Sequence, residues 1–174
     1  MAGDANGLRA LLHEAADEGH IAGRMAAPDA TGTGFARRTP LSIVFSTPQV
    51  ARIGATRSDL EGRDIETGRF DFSKQPRARM AQTNSGVLHI HATRDTGQIL
   101  GAELCAPAAE HLAHLLALAV ERQLRVADML AMPFYHPVLE EGLRSALRDL
   151  AKAVSDSGGS DLSDCKAIGH DALD

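Results

Sequence analysis

The chain has 174 residues, of which 44% are apolar, and a formal net charge of −5. That length and apolar content suit one core-bearing domain with attached segments and exclude a chain disordered throughout. The acidic balance argues against a nucleic-acid surface, which needs clustered Lys and Arg, and no apolar run is long enough for a membrane span or sits behind a charged, signal-like start.

Leu8, Leu11, Leu12, Ala15, Ala22 and Met25 recur at helical spacing and predict a helix from about Leu8 to Arg24 with an apolar stripe. Turn-forming residues follow, predicting a linker over 28–38. A compact domain is expected over 39–154. Leu41–Phe45 and Gln49–Ala55 read as strands, with a helical turn at Ser58–Glu61. Asp64–Phe72 is expected to pair with Gly86–Arg94, which crosses an Asp95-Thr96-Gly97 turn into Gln98–Leu104 as a hairpin. Leu112, Leu115, Leu116, Ala119, Val120 and Leu124 mark a helix face, Val126–Met132 a short second helix, and Leu139, Leu143, Leu147 and Leu150 a third. Antiparallel strands with helices gathered on one face define an α+β domain. The Ser-, Gly- and Asp-rich residues 155–174 predict a disordered tail.

The segment Phe134-Tyr135-His136-Pro137-Val138-Leu139-Glu140-Glu141 sets a histidine against a proline and returns a carboxylate five residues later. If Val138 opens a helix, Glu141 falls in its first turn and folds back onto His136. A carboxylate so placed fixes the imidazole tautomer and stabilises the imidazolium, as in a general-base dyad. The same spacing also suits a histidine that merely stiffens a turn. His89 and His91 share one strand face, but no third ligand accompanies them, so a solvated face is expected and no metal site. His111 and His114, beside Glu110, read as the polar side of a helix. Cys105 and Cys165 form neither a zinc framework nor a redox pair. Both are expected to be reduced thiols of a cytoplasmic protein, Cys105 as a small core residue and Cys165 exposed in the tail.

Three strings in order, Thr47-Pro48-Gln49-Val50-Ala51-Arg52-Ile53-Gly54, Asp95-Thr96-Gly97-Gln98-Ile99-Leu100-Gly101-Ala102 and the His136-Pro137 segment, resemble motifs of the FAD-dependent pyridine nucleotide–disulfide oxidoreductases, the family of dihydrolipoamide dehydrogenase. Ala2-Gly3-Asp4-Ala5-Asn6-Gly7, with the helix after it, resembles the last segment of that family's FAD domain. The resemblance implies that 39–154 is the dimerisation domain and 1–27 a remnant of the FAD-binding domain. It implies that His136 reaches into the partner subunit and exchanges a proton with the thiol nearest the substrate, and that Glu141, not Glu140, orients it. It also implies a cis bond before Pro137, whose histidine carbonyl faces the flavin of the other subunit. Gly3, Asp4, Leu12 and His13 would contact FAD, Asp4 through the ribityl chain, only in an intact parent enzyme.

FAD and NAD(P)H are thus the implied cofactors of the parent, with none expected bound to this chain alone. The chain lacks the Gly-rich pyrophosphate loops, the NAD(P)H domain and the paired cysteines that the family uses, so no activity is expected of it in isolation. The implied partners are a second copy, as a homodimer through 39–154, and the parent's FAD and NAD(P)H domains, with no nucleic acid and no membrane. Another reading is a stand-alone interaction module that pairs with separately encoded flavoprotein subunits. Phe134-Tyr135 departs from the His-Ala pair of many dihydrolipoamide dehydrogenases, which leaves the disulfide or metal substrate open.

Overall fold

A computed structural model describes residues 1–27, 29 and 35–155. The chain divides into two compact units between Arg38 and Thr39. Part of the expected linker, and the expected tail from 156 onward with Cys165, lie outside the described residues.

The first unit holds a 3-10 turn at Gly3–Asn6 and helix α1 at Leu12–Met25. The helix starts later than the apolar spacing suggests, because Leu11 is extended. The leucines of the expected stripe are not buried either: Leu8, outside the helix, is exposed and Leu12, at its start, is 89% exposed. Carboxylates hold this unit together instead. Buried Glu14 pairs with Arg9 at 2.7 Å and Arg37 at 3.3 Å, while Glu18 accepts the Gly3 N–H at 2.6 Å and also bonds Asn6 and Arg37. Burial pushes the Glu14 carboxyl up, but the Arg9 hydrogen bond and the nearby positive charges outweigh it and hold the group below its ordinary value.

The second unit is built on five antiparallel strands, β1 (Leu41–Val44), β2 (Gln49–Gly54), β3 (Ile65–Asp71), β4 (Val87–Thr93) and β5 (Ile99–Ala106), in the order β1-β2-β5-β4-β3. Alternation along the strands sorts the two faces. Ala51, Leu104 and Leu88 stand in one register row and Ile53, Ala102 and Ile90 in another, all buried. Between them run Arg52, Glu103, His89 and Arg69 on the opposite face. The apolar rows join one core with Leu112 and Leu116 of α3 (Ala109–Glu121) and Leu143, Leu147 and Leu150 of α5 (Glu140–Ala151). α3 packs on β1, β2 and β5, and α5 packs on β3 and β4. This is the expected α+β domain with helices on one face.

Two short helices complete it, α2 (Pro76–Met80) and α4 (Val126–Leu130). The periodicity reading did not anticipate α2, whose five residues span little more than one turn. Gly68 lets α5 settle on β3, since a β-carbon there would stand 2.6 Å from that of Leu150. At the sheet's edge the β3 amide of Arg69 donates to Asp149 Oδ2 of α5 at 3.1 Å.

Cys105 is not the expected core residue. It lies inside β5, half-buried, in the row of Val50 and Val87 on the face away from the helices, because β5 runs on to Ala106 and fixes its parity. No helix among the described residues is long and apolar enough to cross a membrane.

Candidate functional site

α5 begins at Glu140 rather than at Val138, and its first turn carries Glu140 and Glu141. Leu139, its N-cap residue, offers no side-chain hydrogen bond to the first turn. Glu141 reaches back outside the helix instead: its Oε2 accepts the Val138 N–H at 3.1 Å and its Oε1 meets His136 Nδ1 at 2.7 Å. One carboxylate thus spans the loop, with an oxygen on the backbone and an oxygen on the ring. The peptide bond between His136 and Pro137 is cis, as is that between Thr47 and Pro48.

Burial pushes the Glu141 carboxyl up, but the bonds from His136 and Val138, helped by the charges of His136 and Arg144, prevail and hold it below the ordinary glutamate value. The positive end of α5 favours the same charge state. An ionised carboxylate only accepts, so Nδ1 of His136 carries the hydrogen in this contact and Nε2 is the nitrogen left for proton exchange. The His136 side chain is 71% exposed, whereas that of Glu141 is 27% exposed. The arrangement holds the imidazole outward on a braced support.

Phe134 and Gln75 brace the same loop. The Arg144 guanidinium lies over the Phe134 ring, 5.4 Å from its centroid, and Gln75 Nε2 donates to the Val138 carbonyl at 2.6 Å. The sequence singled out Phe134 only as a departure from the family's pattern, and it assigned no place to Gln75. The pair Gln75-Pro76, a polar residue before a proline at the first helical position, is a helix-start signal that would have drawn attention to Gln75.

Gly3, Asp4, Leu12 and His13 all lie in the first unit, and His136, Pro137 and Glu141 in the second. Asp4, Leu12 and His13 are exposed. Gly3 has a positive φ of 67° and sits 3.2 Å, measured from a notional β-carbon, from Ala15 of α1. A dinucleotide such as FAD needs a Gly-rich turn delivering backbone N–H groups to its pyrophosphate. One aspartate, one turn glycine and a helix start preceded by Leu11 do not form that cradle, and the described residues alone do not fit the cofactor.

His91 corrects the expectation of a solvated histidine face. It is 1% exposed, with Nδ1 on Thr67 Oγ1 at 2.9 Å and Nε2 on Glu103 Oε2 at 3.3 Å. The loop after β2 folds back onto this face, and the Arg57 N–H donates to Glu103 at 2.9 Å. Among the described residues no group of three or more His, Cys, Asp or Glu is placed to hold a metal ion.

The model of the pyridine nucleotide-disulphide oxidoreductase dimerisation domain matches residues 41–147. Dihydrolipoyl dehydrogenase 2 of Haloarcula marismortui is 30% identical over 146 residues, which are 83% of this chain and 30% of that protein. The mitochondrial dihydrolipoyl dehydrogenase of Homo sapiens is 30% identical over 138 residues, 78% of this chain and 27% of that protein. The chain therefore spans under a third of the length of these curated relatives. Among solved structures, LpdA of Mycobacterium tuberculosis superposes with a TM-score of 0.73 at 29% identity, over 84% of this chain and 32% of that one. The HOCl-induced flavoprotein disulfide reductase RclA of Escherichia coli shares the fold, with a TM-score of 0.71 at 23% identity over 86% of this chain and 34% of that one. The matched span takes in the five strands, α3, α4 and most of α5, and the chain belongs to the pyridine nucleotide-disulphide oxidoreductase family through its dimerisation domain.

Proposed function

We propose that residues 39–154 pair two copies of a flavin-dependent NAD(P)H:disulfide oxidoreductase and deliver His136 across the interface as the acid–base group for the partner subunit's redox thiol. The observation that carries this reading is the 2.7 Å contact of His136 Nδ1 with Glu141 on a ring left 71% exposed. A histidine that only stiffened a turn would have no need of an oriented, solvent-facing Nε2. In the reductive half of such a reaction Nε2 takes the thiol proton, the sulfur is left as the nucleophilic thiolate, and the imidazolium is stabilised by the Glu141 carboxylate. In the reverse direction the imidazolium returns the proton to sulfur. FAD and NAD(P)H, held by other domains of the parent, supply the electron transfer.

Grafting residues 39–154 in place of the matching domain of a dihydrolipoyl dehydrogenase tests the proton role. Turnover of the graft should fall by about 10²–10⁴-fold on His136→Ala with the flavin still bound. Retained turnover would remove the base assignment. Light scattering on the present chain tests the pairing role: a dimer at low micromolar concentration supports a self-contained interface, and a monomer at every concentration contradicts it.

A further inference from the structure

Gln75 is 1% exposed and stands between a 3-10 turn at Phe72–Lys74 and α2. Its primary amide is used at both ends. Oε1 accepts the Ala78 N–H at 2.6 Å and so caps α2, while Nε2 donates to the Val138 carbonyl at 2.6 Å, across a sequence separation of 63 residues. Val138 is therefore gripped through both of its backbone polar groups, the N–H by Glu141 Oε2 and the carbonyl by Gln75. It is the second residue after His136.

The His136 ring is largely exposed and meets the fold through Glu141, so its direction depends on the backbone from which it hangs. That backbone has no strand or helix partner between Pro133 and Val138. Phe134 under Arg144 holds the loop before the histidine, and Val138 holds it after. Of the two clamps on Val138, Glu141 belongs to the same local segment, whereas Gln75 ties the loop to the connection between β3 and β4. A helix cap alone does not call for this residue: Asn, Asp, Ser and Thr are the preferred caps. A buried cap that must also donate a hydrogen to a second backbone segment needs the longer amide.

We propose that Gln75 is a positioning residue for His136, acting through the Val138 carbonyl to hold the histidine loop against Glu141. Its catalytic meaning rests on the proton-exchange reading of His136, but its structural content does not.

The test is NMR on this chain, comparing the native protein with Gln75→Leu and Gln75→Glu. Leucine keeps the buried volume without either hydrogen bond. Glutamate, as the carboxylate, still accepts from Ala78 but has no hydrogen for Val138. Val138 amide exchange should rise about ten-fold in both variants relative to the core amides of Leu88 and Leu104, which report global stability. In both, the His136 ring 15N signals should move and the Glu141 carboxyl should titrate closer to an ordinary glutamate. The Ala78 amide should lose protection in Gln75→Leu alone. Unchanged Val138 exchange in Gln75→Glu, or faster exchange with the His136 and Glu141 signals in place, would reduce Gln75 to a helix cap and overturn the inference.

Should the variants fail to fold, the native chain still decides. One Gln75 side-chain amide proton should exchange at least about ten-fold more slowly than those of exposed Gln82, and equal rates overturn the proposal. These outcomes are independent of turnover in the grafted enzyme, so failure of the base role and failure of the positioning role are separately visible.

Discussion

Gly142 and Phe70 meet so closely that a β-carbon on the glycine would stand 2.8 Å from the ring Cε1. The Phe72 ring lies at 3.0 Å from the same point, and the two rings are packed edge to face with centroids 5.2 Å apart. Gly142 directly follows Glu141, so this aromatic seat sets the height at which α5 starts and hence where the carboxylate stands. Gly142→Ala should overpack the seat at a cost of about 1–3 kcal/mol, offset by about 1 kcal/mol of improved helix propensity. The expected result is a lower urea midpoint at unchanged m-value. A midpoint equal to or above the native one would show that the rings can yield.

Glu141→Gln separates orientation from charge. The amide can still accept from His136 or Val138, but it loses the negative charge that stabilises an imidazolium. In the grafted enzyme its effect should be a loss of about ten-fold, well short of that of His136→Ala. Equal losses for the two substitutions would mean that the charge, and not merely the alignment of the ring, is indispensable.

Acid should destabilise the second unit through His91. Burial lowers its pKa below the ordinary 6.5, although the hydrogen bond and charge of Glu103 push the other way. Both ring nitrogens are already committed, Nε2–H to the Glu103 carboxylate and Nδ1 as acceptor from Thr67, so a second ring proton reverses the Thr67 bond and obliges its hydroxyl hydrogen to turn away. Below pH 6.5 the unfolded chain takes up this proton before the folded one does, and stability declines as pH falls toward the folded-state pKa. Urea midpoints at about pH 7.5 and about pH 5.5 should differ in that direction, and His91→Gln should shrink the difference. An equally large difference in the variant would assign the effect to other groups.

The hairpin of β4 and β5 and the apolar faces of α3 and α5 were legible because their alternation or helical repeat runs long enough to be unambiguous. Element ends were less so: α5 starts two residues beyond Val138, whose N–H is taken by the Glu141 side chain outside the helix. The proximity of His136 and Glu141 could be anticipated since both lie within one short segment. Gln75 could not, because its partner is distant in sequence and the meeting depends on how α5 settles against Phe70 and Phe72. His91 was misjudged for a related reason. Strand parity correctly put it opposite the helices, but parity cannot show that the loop after β2 returns to cover that face.

The contact between Arg69 and Asp149 has a consequence for assembly. An edge strand seven residues long, such as β3, offers a template on which another strand could add, each outward amide receiving a carbonyl from the newcomer. In β3 the outward amide near the middle is already occupied by a carboxylate from the helix above. An incoming strand would have to evict Asp149 and leave its own carbonyl facing that charge. Edge-to-edge pairing of copies through β3 is therefore opposed by the fold itself, and any extension of the ladder falls to the opposite edge, β1.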